Sequence, residues 1–275
     1  MEIIVAKNIG FCFGVTRAVT GALNEMNEET YFLGELVHNK ETMNKIKGKI
    51  VEDIEEIPDK SKVIIRAHGV SKNVLKRALE KKLNVIDLTC PKVAKVHKLV
   101  SERKNNLIII IGKKNHPEVI GTIGYANEYI IIENENDLEE LQKKLETNNK
   151  KISVFSQTTI SNLEFVSLVN KIKRMTRSYV EIIPCICPVT EERHKEANNI
   201  ASACDLVIVV GSKNSSNTKK LYESVLCIKD SILVENKDEI DFDKIKNYQK
   251  IGIVSGTSTD IDTVNAIILE IKNKL

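Results

Sequence analysis

The sequence has no tryptophan and only 4% aromatic residues, so aliphatic side chains must supply whatever core it builds. No stretch approaches the ~20 consecutive apolar residues of a membrane-spanning helix. The first residues, Met1-Glu2-Ile3-Ile4-Val5-Ala6, lack the charged head and long apolar run of a secretory signal and read as a first strand. An excess of one charge sign is also missing. There are 41 basic and 38 acidic residues, and the lysines stand among acids, as in Glu102-Arg103-Lys104 and Lys143-Lys144-Leu145-Glu146. Such mixing describes solvated helix faces, not a surface for nucleic acid. Neither Gly-x-Gly-x-x-Gly nor a Walker phosphate loop occurs, which argues against a nucleotide-binding protein. Cys-x-x-Cys and His-Glu-x-x-His are absent too, and with them the usual ligand spacings of a zinc hydrolase. What remains is the expectation of a cytoplasmic globular protein with no nucleic-acid or membrane partner. In that compartment thiols stay reduced, so the six cysteines are expected to be ligands, reactive groups or core residues and not disulfides.

What is present is a repeated α/β pattern. Apolar runs at Val63-Ile64-Ile65, Leu107-Ile108-Ile109-Ile110-Ile111, Leu206-Val207-Ile208-Val209-Val210 and Ile251-Gly252-Ile253-Val254 alternate with polar, helix-compatible stretches. Continuous apolar strands at helical separation indicate βαβ units and a mainly parallel sheet buried on both faces. Ile111-Gly112-Lys113-Lys114-Asn115 matches Val210-Gly211-Ser212-Lys213-Asn214, 99 residues on. The same offset carries Phe155-Ser156-Gln157-Thr158-Thr159 onto Val254-Ser255-Gly256-Thr257-Ser258. The first third holds a looser version, with His68-Gly69-Val70 after one strand and Thr89-Cys90-Pro91 after another. Three similar α/β lobes follow, with expected bounds 1–90, 91–186 and 187–275 and a C-terminal tail that can pack back on the other lobes. Loops at the carboxyl ends of parallel strands are where open α/β sheets bind ligands.

Those loop ends carry most of the reactive residues. His38, His68 and His116 stand at them, as do Gln157-Thr158-Thr159, Ser215-Ser216-Asn217 and Ser258. Hydroxyls and an amide at strand-to-helix junctions can serve as N-caps, or can join backbone N–H groups in an anion site. Glu118, two residues after His116, suits a general acid if its pocket is dry. His97 and His194 lie in lysine- and glutamate-rich sequence and are assigned to the surface. Cys204 and Cys227 are read as buried fillers.

The other cysteines have distinctive surroundings: Gly-Phe-Cys-Phe-Gly-Val (10–15), Asp-Leu-Thr-Cys-Pro (87–91) and Cys185-Ile186-Cys187-Pro188. A Cys-Pro step commonly ends an iron–sulfur ligand run, and three thiolates would leave one iron of a four-iron cluster open to a substrate. From the residues alone, either Cys185 or Cys187 could be the third ligand. A protein that only stores a cluster is the competing reading, but it would not need a shell of phosphate-binding hydroxyls.

Taken in order, these words resemble the LytB family of 4-hydroxy-3-methylbut-2-enyl diphosphate reductases over nearly the whole chain. The resemblance rests on Gly-Phe-Cys-Phe-Gly-Val (10–15), Val-His-Asn (37–39), Arg-Ala-His-Gly-Val-Ser (66–71), Asp-Leu-Thr-Cys-Pro (87–91), His-Pro-Glu-Val-x-Gly (116–121), Gln-Thr-Thr (157–159), Val-Gly-Ser-Lys-Asn-Ser-Ser-Asn (210–217) and Gly-Thr-Ser (256–258). It implies a pseudo-threefold trefoil of α/β lobes around a 4Fe–4S cluster held by Cys12, Cys90 and Cys187. Cys187 is preferred to Cys185 because it lies six residues before Arg193 and 30 before Asn217, as the family pattern requires. His38, His68, His116, Ser215, Ser216, Asn217 and Ser258 would bind the diphosphate. Glu118 would deliver protons with Thr158 assisting, and ferredoxin or flavodoxin would supply the electrons. The chain departs from the pattern at Lys113-Lys114-Asn115 and at Pro188, and neither touches a required group.

Overall fold

The structure is a computed structural model that describes residues 1–37 and 39–274, apart from the side chains of Lys40 and Glu41. In chain order it forms β1 (Glu2–Val5), α1 (Phe13–Glu25), β2 (Tyr31–Leu33), α2 (Lys40–Asn44), β3 (Lys49–Val51), β4 (Lys62–Ile65), α3 (Lys72–Glu80), β5 (Asn84–Asp87) and α4 (Pro91–Glu102). The middle comprises β6 (Leu107–Ile111), α5 (Pro117–Ile123), β7 (Glu128–Ile132), α6 (Leu138–Glu146), β8 (Ile152–Ser156), α7 (Asn162–Met175) and β9 (Val180–Ile183). The last stretch is α8 (Pro188–Ala203), β10 (Leu206–Val210), α9 (Ser216–Leu226), β11 (Ser231–Val234), α10 (Phe242–Ile245), β12 (Lys250–Ser255) and α11 (Ile261–Lys274).

These strands form three four-stranded parallel sheets, ordered β3-β2-β4-β5, β7-β6-β8-β9 and β11-β10-β12-β1. All three share one plan: the second strand of the set, then the first, third and fourth. The repeat seen in the sequence is therefore a repeat of topology. Its register is kept as well, since Ile111 pairs with Ser156 as Val210 pairs with Ser255. The third sheet differs from its expected bounds in one respect. Its fourth strand is β1, from the opposite end of the chain, which was assigned by sequence to a lobe of residues 1–90.

The chain packs as two compact units, Met1–Thr20 with Val37–Ile46 and Pro188–Leu275, and Gly21–Leu36 with Lys47–Cys187. In the first unit the sheet alternates its side chains between two cores, as the pleat requires. Ile208, Val210, Ile251 and Ile253 meet Val264, Ile267 and Ile271, so the C-terminal helix α11 packs on the sheet of its own unit. Val207, Val209 and Val254 face Ala197, Ile200, Leu221 and Val225 of α8 and α9. In the second unit, all five residues of β6 are buried, as expected of a strand covered on both faces. The helix α7 turns Phe165, Leu168, Val169 and Ile172 inward, at the three-to-four spacing of an amphipathic helix.

Candidate functional site

Each sheet's fourth strand leads into a loop that ends in a cysteine, and that cysteine immediately precedes a helix. Cys12 stands before α1, Cys90 before α4 and Cys187 before α8. Their backbone bonds are equivalent too. The Cys12 amide donates to the Thr257 carbonyl at 3.0 Å, Cys90 to Ala67 at 2.9 Å and Cys187 to Thr158 at 2.8 Å. In every case the acceptor lies two residues past the end of the third strand. The sequences around these cysteines differ, yet the fold gives them one structural role.

This equivalence separates Cys187 from Cys185. The Cys185 amide donates to Ser156 Oγ at 2.7 Å, just as the Gly10 amide, two residues before Cys12, donates to Ser255 Oγ at 3.0 Å. Cys185 therefore occupies the position of Gly10, not that of Cys12. Its thiol is pushed up to about 11, first by burial and then by the nearby Glu118 carboxylate, and it contacts the Ile183 carbonyl. Cys204 is buried as expected, whereas Cys227 is exposed and so is not the core filler expected from its neighbours.

In the second unit, Glu118 is 3% exposed in the first turn of α5. Its carboxyl accepts two hydrogen bonds of 2.7 Å, from the Thr158 amide and the Thr158 hydroxyl. Burial raises its pKa above the ordinary carboxylate value, and the two Thr158 bonds oppose this only in part. When the carboxyl is protonated, the Thr158 hydroxyl can accept from it and turn its own proton outward. His116 caps α5, its Nδ1 accepting the Glu118 amide at 3.2 Å, so the neutral ring carries its proton on Nε2. The His68 and His116 rings meet edge to face with centroids 5.2 Å apart. Gly69 follows His68 with a φ of +69°, and a Cβ there would stand 2.7 Å from His97 Cε1. The loop of His68 thus lies close against α4.

His97 corrects its expected place on the surface. It is 6% exposed, stacked on Tyr125 at 4.5 Å, and burial lowers its pKa to about 4. His194 is half-buried. Both rings were misjudged because lysine-rich flanks conceal an inward face that periodicity alone does not reveal.

In the first unit, Ser215 caps α9, its Oγ accepting the Thr218 amide at 3.3 Å, and the Ser258 hydroxyl donates to Ser215 Oγ at 3.2 Å. The next two side chains are left over. Ser216 Oγ and Asn217 Oδ1 are buried with no hydrogen-bond partner among the described residues. Buried polar atoms are seldom left unpaired, so this helix start has the free polar groups that a polar ligand could meet. His38, the remaining diphosphate candidate, lies outside the described residues.

Among the described residues, no three His, Cys, Asp or Glu side chains are grouped to hold a single metal ion. An iron–sulfur cluster asks for something else, one thiolate on each liganded iron. Each of Cys12, Cys90 and Cys187 is outside any disulfide and half-buried at a helix start, where the positive end of the dipole suits a thiolate that ligates an anionic cluster. Arg193, used in the sequence only as a spacing marker, was missed as part of the Cys12 surroundings. Its Nη2 donates to the Gly10 carbonyl at 2.7 Å, and no local motif signals that bond.

Known proteins are similar to this chain in sequence and fold. A family model described as LytB protein matches residues 3–272. A 4-hydroxy-3-methylbut-2-enyl diphosphate reductase of Clostridioides difficile (strain 630) is 39% identical over 282 residues, covering 99% of this chain and 100% of that one. The reductase of the same name from a Nitratiruptor species is 36% identical over 281 residues, with 99% and 98% covered. Among solved structures, the E-1-hydroxy-2-methyl-but-2-enyl-4-diphosphate reductase of Plasmodium falciparum superposes with a TM-score of 0.90 at 35% identity, over 99% of this chain and 88% of that one. The chain belongs to the LytB family.

Proposed function

We propose that this protein reductively removes the hydroxyl of 4-hydroxy-3-methylbut-2-enyl diphosphate, giving isopentenyl and dimethylallyl diphosphate, the last step of the non-mevalonate isoprenoid route. The reaction consumes two electrons and two protons; the C–O bond breaks, water leaves and a C–H bond forms. Cys12, Cys90 and Cys187 would hold a 4Fe–4S cluster. When bound, that cluster supplies the electrons and a Lewis-acidic iron. Ferredoxin or flavodoxin would deliver the electrons singly in the cytoplasm. Among the described residues no helix is long and apolar enough to cross a membrane.

The protein's own groups do the rest. Ser215, Ser216, Asn217 and Ser258, with His38, His68 and His116, would grip the diphosphate and so hold the reacting end in place, trading binding energy for position. The unpaired Ser216 Oγ and Asn217 Oδ1 support this assignment. Glu118, whose protonated form burial favours, would release its proton through the Thr158 hydroxyl to the departing oxygen, so that water leaves in place of hydroxide. The observation that carries the reading is the common bond of the three cysteine amides to the third-strand loops.

The test is turnover. Anaerobically prepared, iron-loaded protein should convert 4-hydroxy-3-methylbut-2-enyl diphosphate to both products when given a one-electron reductant. A loaded, reducible protein that leaves the substrate unchanged would refute the reading.

A further inference from the structure

The three helices that follow the cysteines differ at one buried position. Six residues after Cys12 stands Ala18, and six after Cys90 stands Val96; they are 0% and 3% exposed. Six residues after Cys187 stands Arg193, which is 6% exposed. Two repeats thus place an aliphatic side chain where the third buries a guanidinium. Burying an unpaired charge costs several kcal/mol. Arg193 bonds no carboxylate among the described residues. Its Nη1 donates to the Ser255 and Gly256 carbonyls at 3.2 and 3.0 Å, its Nη2 donates to Gly10, and its buried Nε has no partner among the described residues.

These three carbonyls belong to the two segments that frame Cys12. Gly10 lies two residues before it, and Ser255-Gly256 leads to Thr257, whose carbonyl receives the Cys12 amide. Burial draws the guanidinium below its ordinary pKa, while the Cys12 sulfur and the Glu196 carboxylate push it back up, which places the sulfur within its field. Glu196 is already engaged by the Lys7 and Asn8 amides and the Asn8 side chain.

We propose that Arg193 is a positioning residue for the Cys12 segment and the fixed cation that makes the iron–sulfur cluster easier to reduce. The proposal rests on the cluster assignment made above. A carbonyl clamp of three bonds holds the Cys12 loop against the end of β12. A buried positive charge beside an anionic centre stabilises the more negative, reduced state, because low polarity lets the field reach it.

Two readouts separate these roles from simple packing. In metal-free protein, amide hydrogen exchange at Gly10 and Cys12 should quicken at least ~10-fold in Arg193→Gln, as expected for local opening. The Cys90 amide, which makes the same bond to a carbonyl outside the three that Arg193 clamps, should keep its rate. In the loaded protein, the midpoint potential of Arg193→Gln should fall by about one decade in the reduction equilibrium, ~59 mV for one electron. Arg193→Lys keeps the charge but cannot reach all three carbonyls. It should restore most of the potential while leaving exchange fast, and it carries the test if the glutamine variant does not fold. Native exchange at Gly10 and Cys12 in both variants, or a native potential in loaded Arg193→Gln, would overturn the proposal. Failure of the unmodified protein to take up iron would instead sink the cluster assignment, and the exchange experiment would still judge the clamp.

Discussion

Glu118 carries two opposed influences, burial that favours its protonated form and two Thr158 donors that favour its anion. Burial dominates, so the acid is held in reserve above the usual carboxylate range. A general acid works only while protonated, so turnover should fall as pH rises through this raised value. The basic limb of the kcat profile should therefore lie above 4.5, the ordinary glutamate value. Glu118→Gln should keep the cluster, lose that limb and turn over ~10²–10⁴-fold more slowly. Near-normal turnover would mean that protons arrive by another path. The sulfur assignment is tested at the same scale. Cys187→Ser should abolish iron uptake, and Cys185→Ser should spare it, because Cys185 shares the place of Gly10. The reverse pattern would exchange the two. Residue identity was the most legible part of the site, since Glu118, Thr158, Ser215 and the cysteines all announce themselves by side-chain chemistry next to strand ends. Arg193 did not, because carbonyl acceptors 62 and 183 residues away leave no local mark.

The element that matters most is the shortest to describe. Among the described residues β1 pairs only with β12, yet it completes the third sheet and launches the loop to Cys12. Ala6 ends this segment, its amide donating to the Ile253 carbonyl at 2.9 Å and its side chain lying in the core beneath β10 and β12. Ala6→Pro removes that donor and leaves a buried acceptor unpaired, at a cost of about 1–3 kcal/mol. Denaturant unfolding should show that loss, and iron uptake should weaken with it. An unchanged midpoint would detach β1 from the sheet. The strands themselves could be read from their apolar runs. The pairing of the first strand with the last could not, because a period-two pattern tells which face is buried and not which neighbour supplies the hydrogen bonds. A sequence cue was nonetheless available: β1, β5 and β9 all precede a cysteine that opens a helix, whereas the stretch after Cys187 supplies only three strands.

At the scale of the whole molecule, one sheet plan is used three times, and its repeat explains why three cysteines from distant parts of the chain share one backbone setting. The 99-residue offset was visible because the second and third repeats keep their loop words, Gly-x-x-Asn after the first strand and a hydroxyl-rich turn after the third. The first repeat was harder to see, since its strands are short and its turn carries Arg66-Ala67-His68 instead. Backbone bonding keeps all three in step where the side chains have diverged. Three equivalent cysteines holding a four-iron cluster would leave one iron unlike the others, and the proposed chemistry depends on that difference. The most direct measurement is a Mössbauer spectrum of anaerobically purified, iron-loaded protein, recorded with and without 4-hydroxy-3-methylbut-2-enyl diphosphate. One iron site should be distinct and should change when the substrate is added, while the rest keep their parameters. A spectrum of equivalent irons, indifferent to the substrate, would contradict the assignment of three cysteine ligands and an open fourth position.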